Sequence, residues 1–347
     1  MIPTATSFDD CGEHDPLATL ASLLAEPGIT DVLVNGAGPV WVDRGAGLRR
    51  SALSFDDEPE VRRLAVRLVS GAGGRLDDAA PYANARLPDG TRVHAVLPPL
   101  SPQGTCISLR VPPRRTFTLD QLVVGGGLPP AGAVLLRRMV AGRLAFLVTG
   151  GTGSGKTTVL STLLSLVPAR DRLVLVEDAA ELRPDHPHVV RLEARPPNSE
   201  GAGAVTLHDL VRQALRMRPD RLVVGEVRGV EVLDLLSALN TGHDGGCGTV
   251  HANRAEQLPA RIEALCAPAG VTQPAAHSLL RAAVDAVVHL ARDDRGVRRV
   301  CGIGMLESAP SGLAAVTPAY RFAAGEVQRG PAADRFDDRL GADGEGP

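Results

Sequence analysis

The stretch GGTGSGKTT, residues 150–158, limits the fold more than any other part of the 347-residue chain. It satisfies G-x-x-x-x-G-K-[ST] at every fixed position, through Gly150, Gly151, Thr152, Gly153, Ser154, Gly155, Lys156 and Thr157, with Thr158 next. An apolar run over 144–149 precedes it, and a segment of helical spacing over 156–167 follows. Strand, loop and helix in that order let backbone N–H groups curl round phosphates. No Cβ stands in the way, and the helix N-terminus adds positive potential. The pattern predicts that Lys156 reaches the β- and γ-phosphates as a point charge and that the Thr157 hydroxyl ligates Mg²⁺. No Asn-Lys-x-Asp guanine reader occurs in the sequence, so the expected ligands are ATP and Mg²⁺.

From residue 144 onward short apolar runs alternate with helical patterns: LAFLVTG, RLVLVED, VVRLEAR, RLVVGEV and GTVHA. Strands that are apolar throughout are buried on both faces, which predicts an α/β domain with a central, mostly parallel sheet over 131–327. AVVHLARD and RRVCGIGML are expected as a hairpin at the edge of that sheet. The first third reads differently. TDVLVNG and PVWVDRG flank a glycine turn, 58–74 has amphipathic helical spacing, and ARLPDGTRVHAVLPP reads strand–turn–strand. These features predict a small mixed α/β domain over 16–112 with a mainly antiparallel sheet. Residues 113–130, rich in Pro and Gly, are expected to be a linker. Residues 1–15 are expected to be a flexible arm and 328–347, charged and poor in apolar residues, a disordered tail.

Hydrolysis of a γ-phosphoryl bond needs a residue that orients water and help with the metal, and in a parallel sheet both come from strand carboxyl ends. LVLVEDAAEL (173–182) ends in Glu177 and Asp178, with Glu181 beyond; RLVVGEVRG (221–229) ends in Glu226, followed by Arg228. TGHDGGCGTVHAN (241–253) carries His243 in a glycine-rich loop and His251 at a strand end. The two histidines could sense the γ-phosphate, and the region supplies too few ligands for zinc.

The formal net charge of −3 and an aromatic content of 3% argue against a protein dedicated to nucleic acid, which would present a basic stripe or stacking platforms. The five cysteines, at 11, 106, 247, 266 and 301, form no CxxC pair and are expected to be reduced, buried thiols. There is no basic-then-apolar leader and no window of about 18 uninterrupted apolar residues, so no membrane span is expected.

The motifs in this order resemble the traffic ATPases of type II and type IV secretion and type IV pilus systems. That superfamily has a Walker A loop, an acidic Asp box, a Walker B strand ending in Glu and a His box. Here these are GGTGSGKTT (150–158), VEDAAEL (176–182), LVVGEVRG (222–229) and TGHDGGCGTVHAN (241–253). The stretches LRMRPDRLVVGEVRG, VRLEARPPN and ARLPDGTRVHAVLPP extend the likeness over roughly residues 17–308, nearest to the tight-adherence (Flp) pilus assembly ATPases (CpaF-like). The resemblance implies a RecA-like P-loop domain behind a PAS-like N-terminal domain. It also implies a cytoplasmic homo-hexameric ring, held at the cytoplasmic membrane by an inner-membrane platform protein.

The resemblance further implies that Lys156 and Thr157 hold ATP and Mg²⁺, that Glu226 polarises the attacking water, that Glu177 and Asp178 act around water and metal, and that His251, with His243 as a second candidate, couples the γ-phosphate to domain motion. Arg86, Arg92 and Arg110 occupy the stretch whose arginines close over nucleotide, often from a neighbouring subunit; Arg195 and Arg218 are further candidates. Asn84 stands where the family often has Asp, and the four-cysteine zinc module of type II secretion ATPases is absent. Two alternatives to a pilus or secretion motor remain open: a nucleic-acid or conjugal-transfer ATPase, and a nucleotide-regulated binding protein with little turnover.

Overall fold

The structure is a computed structural model that describes residues 16–45, 47–112, 116–195, 197, 202–293, 296–323 and 325–341. The expected arm at 1–15 lies outside these residues. The chain divides into two compact units, with the boundary after Arg114.

The first unit runs α1 (Pro16–Ala25), β1 (Asp31–Asn35), β2 (Gly38–Asp43), β3 (Leu48–Phe55), α2 (Glu58–Gly71), β4 (Tyr82–Arg86), β5 (Arg92–Val96) and β6 (Cys106–Arg110). The strands form one antiparallel sheet in the order β3-β2-β1-β6-β5-β4. Helix α2 starts where the Asp57 carboxylate accepts the Glu60 N–H, which satisfies one of the first-turn donors. Its buried stripe, Val61, Leu64, Ala65, Leu68 and Val69, has the spacing of a single helix face. That stripe shares a core with Val32, Val34, Val93, Ala95, Ile107 and Leu109 from alternate strand positions. The opposite strand positions carry Asp31, Asn35, Arg92, His94, Ser108 and Arg110 together with Leu33, Trp41 and Val96.

The second unit runs α3 (Leu119–Val124), α4 (Pro130–Ala141), β7 (Phe146–Gly150), α5 (Lys156–Leu164), β8 (Leu173–Glu177), β9 (Val189–Glu193), α6 (Leu207–Ala214), β10 (Arg221–Val227), α7 (Glu231–Asn240), β11 (Cys247–His251), α8 (Leu258–Cys266), α9 (Gln273–Ala283), β12 (Ala286–Arg292), β13 (Arg298–Ser308), β14 (Ala314–Ala323), β15 (Glu326–Arg329) and α10 (Ala333–Gly341). The sheet order is β15-β14-β13-β12-β7-β11-β10-β8-β9. Strands β7 to β12 pair in parallel and β13 to β15 extend them antiparallel. One face packs α4, α5 and α10 through Leu136, Met139, Leu160, Leu163 and Phe336. The other packs α6 to α9 through Val211, Leu235, Ile262 and Leu280. In β7, Phe146 and Val148 face the first layer and Leu147 the second, which is why this strand reads as one apolar run.

Three sequence expectations change here. The segment taken for a linker holds α3, whose Thr118 and Gln121 form a reciprocal capping box, and Leu119 and Leu128 are buried in the second unit's core. Of the segment taken for a disordered tail, residues 328–341 begin in β15 and continue as α10, and 342–347 lie outside the described residues. Its Ala333, Phe336 and Leu340 lie on one buried stripe, and Phe336 meets Tyr320 edge to face at 5.7 Å. Few apolar residues suffice when they recur at helical spacing. Finally, β12 is not an edge strand: it pairs in parallel with β7, and β15 ends the sheet on that side.

Candidate functional site

All six parallel strands present their carboxyl ends on one side of the second sheet, and β7, which feeds the phosphate loop, is central with β11 and β12 beside it. The loop geometry depends on its glycines. Gly153 and Gly155 have φ of 68° and 98°, in the left-handed region that side chains disfavour. A Cβ on Gly150 would lie 2.5 Å from Ser154 Oγ and 2.6 Å from the Leu290 carbonyl. Gly155 starts α5 with no side chain capping its first amides, and such amides with the helix dipole favour an anion. Ser154 is buried and its Oγ has no hydrogen-bond partner. Lys156 Nζ donates to the Gly150 and Gly151 carbonyls at 3.0 and 3.1 Å, so its ammonium lies over the loop's concave side. Burial lowers the Lys156 pKa, the Glu226 carboxylate opposes that, and Arg228 adds to it. Unsatisfied donors around one cationic side chain fit a polyphosphate. Thr157 and Thr158, both half-buried, follow in the first turn of α5, and the exposed Thr152 lies at the loop's crest.

The strand-end acids lie nearby, in distinct environments. Glu177 ends β8 and is 4% exposed. Its Oε1 accepts the Glu181 and Leu182 N–H groups, both at 2.9 Å, while Oε2 is buried without a partner. Burial pushes its pKa up to about 7, against the two backbone donors. The carboxylate fits because the adjacent strand offers glycine: a Cβ on Gly225 would come within 2.6 Å of Glu177 Cγ. Glu226 follows in β10 where the register with β11 shifts between Val224 and Val227. Buried Thr249 of β11 donates to the Gly225 carbonyl at 2.7 Å and so ties the two strands at that shift. Glu226 pairs with Arg228 at 2.5 Å, and the same guanidinium lies 4.0 Å from Asp178.

The histidines separate. His251 ends β11 in register with Gly150, beside the phosphate loop. His243 precedes β11, whose first residue pairs with Phe146 at the start of β7, so it lies at the amino end of the sheet. Its Nδ1 is 3.2 Å from the Ala238 carbonyl. His243, the second candidate for sensing the γ-phosphate, thus lies before the amino end of β11, while His251 closes that strand beside Gly150. Arg218, exposed with φ 53° just before β10, is also at the amino end. Arg195 lies beyond the carboxyl end of edge strand β9 and donates to the Gly203 carbonyl.

Sequence reading missed two supports of the loop and one of β10 beside it. His289 of β12 contacts Thr149 Oγ1 at 2.9 Å and hydrogen-bonds the Asn253 backbone, with burial lowering its pKa. Arg292 donates to the Gly153 carbonyl at 3.0 Å. Thr249 holds Gly225 as described. Each is remote in sequence from the residue it serves, and only the strand order joins them.

Within the first unit, Arg86, Arg92 and Arg110 stand directly opposite one another across β4, β5 and β6. The row sets three guanidinium-bearing side chains side by side on one face of the sheet. Asn84, where the family often has Asp, bonds His94 Nδ1 at 2.8 Å in the next row.

Among the described residues no helix is long and apolar enough to cross a membrane. The sequence pattern of the family described as "Type II/IV secretion system protein" matches residues 13–311. A Mycobacterium tuberculosis relative named "Putative conjugal transfer protein" is 55% identical over 304 residues, 86% of each chain. The type IV secretion system protein PtlH of Bordetella pertussis is 33% identical over 314 residues, 82% of this chain and 91% of its own. The X-ray structure of the Yersinia pseudotuberculosis ATPase DotB is similar with a TM-score of 0.61 at 19% identity, covering 86% of this chain and 81% of that one, a likeness of fold. These matches establish the superfamily without singling out the tight-adherence branch. The family pattern spans most of the chain and takes in the phosphate loop and the strand-end acids: the chain belongs to the type II/IV secretion system family and is an ATPase.

Proposed function

We propose that the chain is a homo-hexameric ring motor that hydrolyses ATP to drive pilus assembly or protein secretion. The observation that carries this is the convergence of Lys156, Glu177, Glu226 and His251 at the carboxyl ends of β7, β8, β10 and β11. In this reading the loop amides and Lys156 hold the phosphates. Glu226 takes up the proton of the attacking water, and buried Glu177 orders the segment 178–182 beside it. His251, next to Gly150, moves with the loop when the γ-phosphate leaves. Thr157 and Asp178 would supply oxygens to Mg²⁺, which would neutralise developing phosphate charge. The row Arg86, Arg92 and Arg110 meets the triphosphate of a ring neighbour in this reading, since arginine matches phosphate in a two-pronged geometry. The motor sits at the cytoplasmic face of the membrane through an inner-membrane platform protein.

Mass in solution with and without ATP tests the ring: a hexamer is expected with ATP, and a strict monomer under both conditions would sink it. The mycobacterial relative's name gives a second reading, in which the ring serves conjugal DNA transfer. Strong, salt-sensitive stimulation of turnover by single-stranded DNA would favour that reading over protein transport.

A further inference from the structure

The reading above leaves Arg228 without a role, yet its guanidinium lies between two acids of the site. Nη2 contacts Glu226 Oε2 at 2.5 Å and Nη1 is 4.0 Å from Asp178 Oδ2. An oxygen engaged by a guanidinium is not directed at a water, so this pair and the base role of Glu226 exclude each other at that atom. The backbone beneath is fixed. The Arg228 and Gly229 N–H groups both donate to Oε1 of buried Glu231, at 2.6 and 2.8 Å. The Arg228 side chain is 61% exposed, free to turn about that anchor, and so exposed an ion pair is easily exchanged. Its charge also reaches Lys156, the residue that marks the β/γ end of the triphosphate.

We propose that Arg228 exchanges the Glu226 carboxylate for the γ-phosphate of ATP, so that the base is released only when a triphosphate is in place. This rests on the ATPase reading. A guanidinium makes paired hydrogen bonds to phosphate oxygens as readily as to a carboxylate, and the γ-phosphate carries the larger charge. The diphosphate offers no such partner at that position. Arg228 is thus the group that distinguishes ATP from ADP, and it couples that distinction to the water-activating residue.

The test is calorimetric binding of adenylyl imidodiphosphate and of ADP, each with Mg²⁺, to wild type, Arg228→Gln and Arg228→Lys. The expected result is an affinity for the imidodiphosphate about tenfold weaker in Arg228→Gln, with ADP affinity within about twofold of wild type and Arg228→Lys between the two. Equal weakening for both nucleotides, or no change for either, would overturn the exchange and leave Arg228 a structural residue. A wild type that bound neither nucleotide would count against the ATPase reading itself.

Discussion

The two ends of the same parallel strands teach opposite lessons. At the amino end, Arg221, 1% exposed, donates to the Val140 and Gly245 carbonyls and pairs with Asp171. Arg143 completes the network through Asp171 and the Asp220 carbonyl. Gly245 has φ 73° and no room for a Cβ beside Arg221 Nη1. The polar groups named there are joined into one clamp across α4, the turn before β8, β10 and the loop before β11. At the carboxyl end, Glu177 Oε2 and Ser154 Oγ are buried without partners, α5 begins uncapped by any side chain, and Glu226 is held by an exposed arginine. Buried polar groups are ordinarily satisfied, and exceptions beside a phosphate loop mark a candidate site. One end holds the sheet together, and the other is left incomplete for a ligand.

Substitutions can break this comparison, beginning with the largest effect. Arg221→Met removes one side of a buried pair and leaves two carbonyls without donors, so stability should fall by about 3–5 kcal/mol in denaturant titration; a loss confined to turnover would invert the roles of the two ends. Glu177→Gln addresses the carboxyl end. Its carboxyl pKa lies above the unfolded value, so the folded state holds the proton more tightly and wild type loses stability as pH rises from about 4.5 to about 7. The variant should lose that slope, worth up to about 3 kcal/mol, in unfolding followed across this window; an unchanged slope would mean that Glu177 ionises as in water. Gly225→Ala should push against Glu177 Cγ and cost about 1–3 kcal/mol, with kcat reduced more than ATP affinity. The finest contrast is between the histidines. His251→Ala should slow turnover about tenfold, whereas His243→Ala should stay within about 0.5 kcal/mol in stability and about twofold in rate. Equal effects on turnover would erase the distinction between the ends.

Much of the site was legible because its chemistry is local. The loop's glycines, Lys156 and Thr157 are contiguous, and Glu177 and Glu226 each close an apolar run that a reader can see. His243 was misplaced because a motif is read as a string, while β11 runs between the two histidines, with His243 before its amino end and His251 at its carboxyl end. His289, Arg292 and Thr249 stayed hidden because strand order is not written in any one segment: β12 lies beside β7 although about 140 residues separate His289 from Thr149. The helix at Ala333–Gly341 was hidden by composition, since three apolar residues among charges look disordered until their spacing is counted. In the first unit the three arginines were visible one by one, and only the register of β4, β5 and β6 makes them a row.

The central claim is that the carboxyl end hydrolyses ATP with Glu226 as the water-activating group. Phosphate release at saturating ATP, measured side by side for wild type and Glu226→Gln with nucleotide binding checked in both, tests it most directly. The account predicts that the variant still binds ATP and turns over about 10²–10⁴-fold more slowly. Equal rates would contradict it.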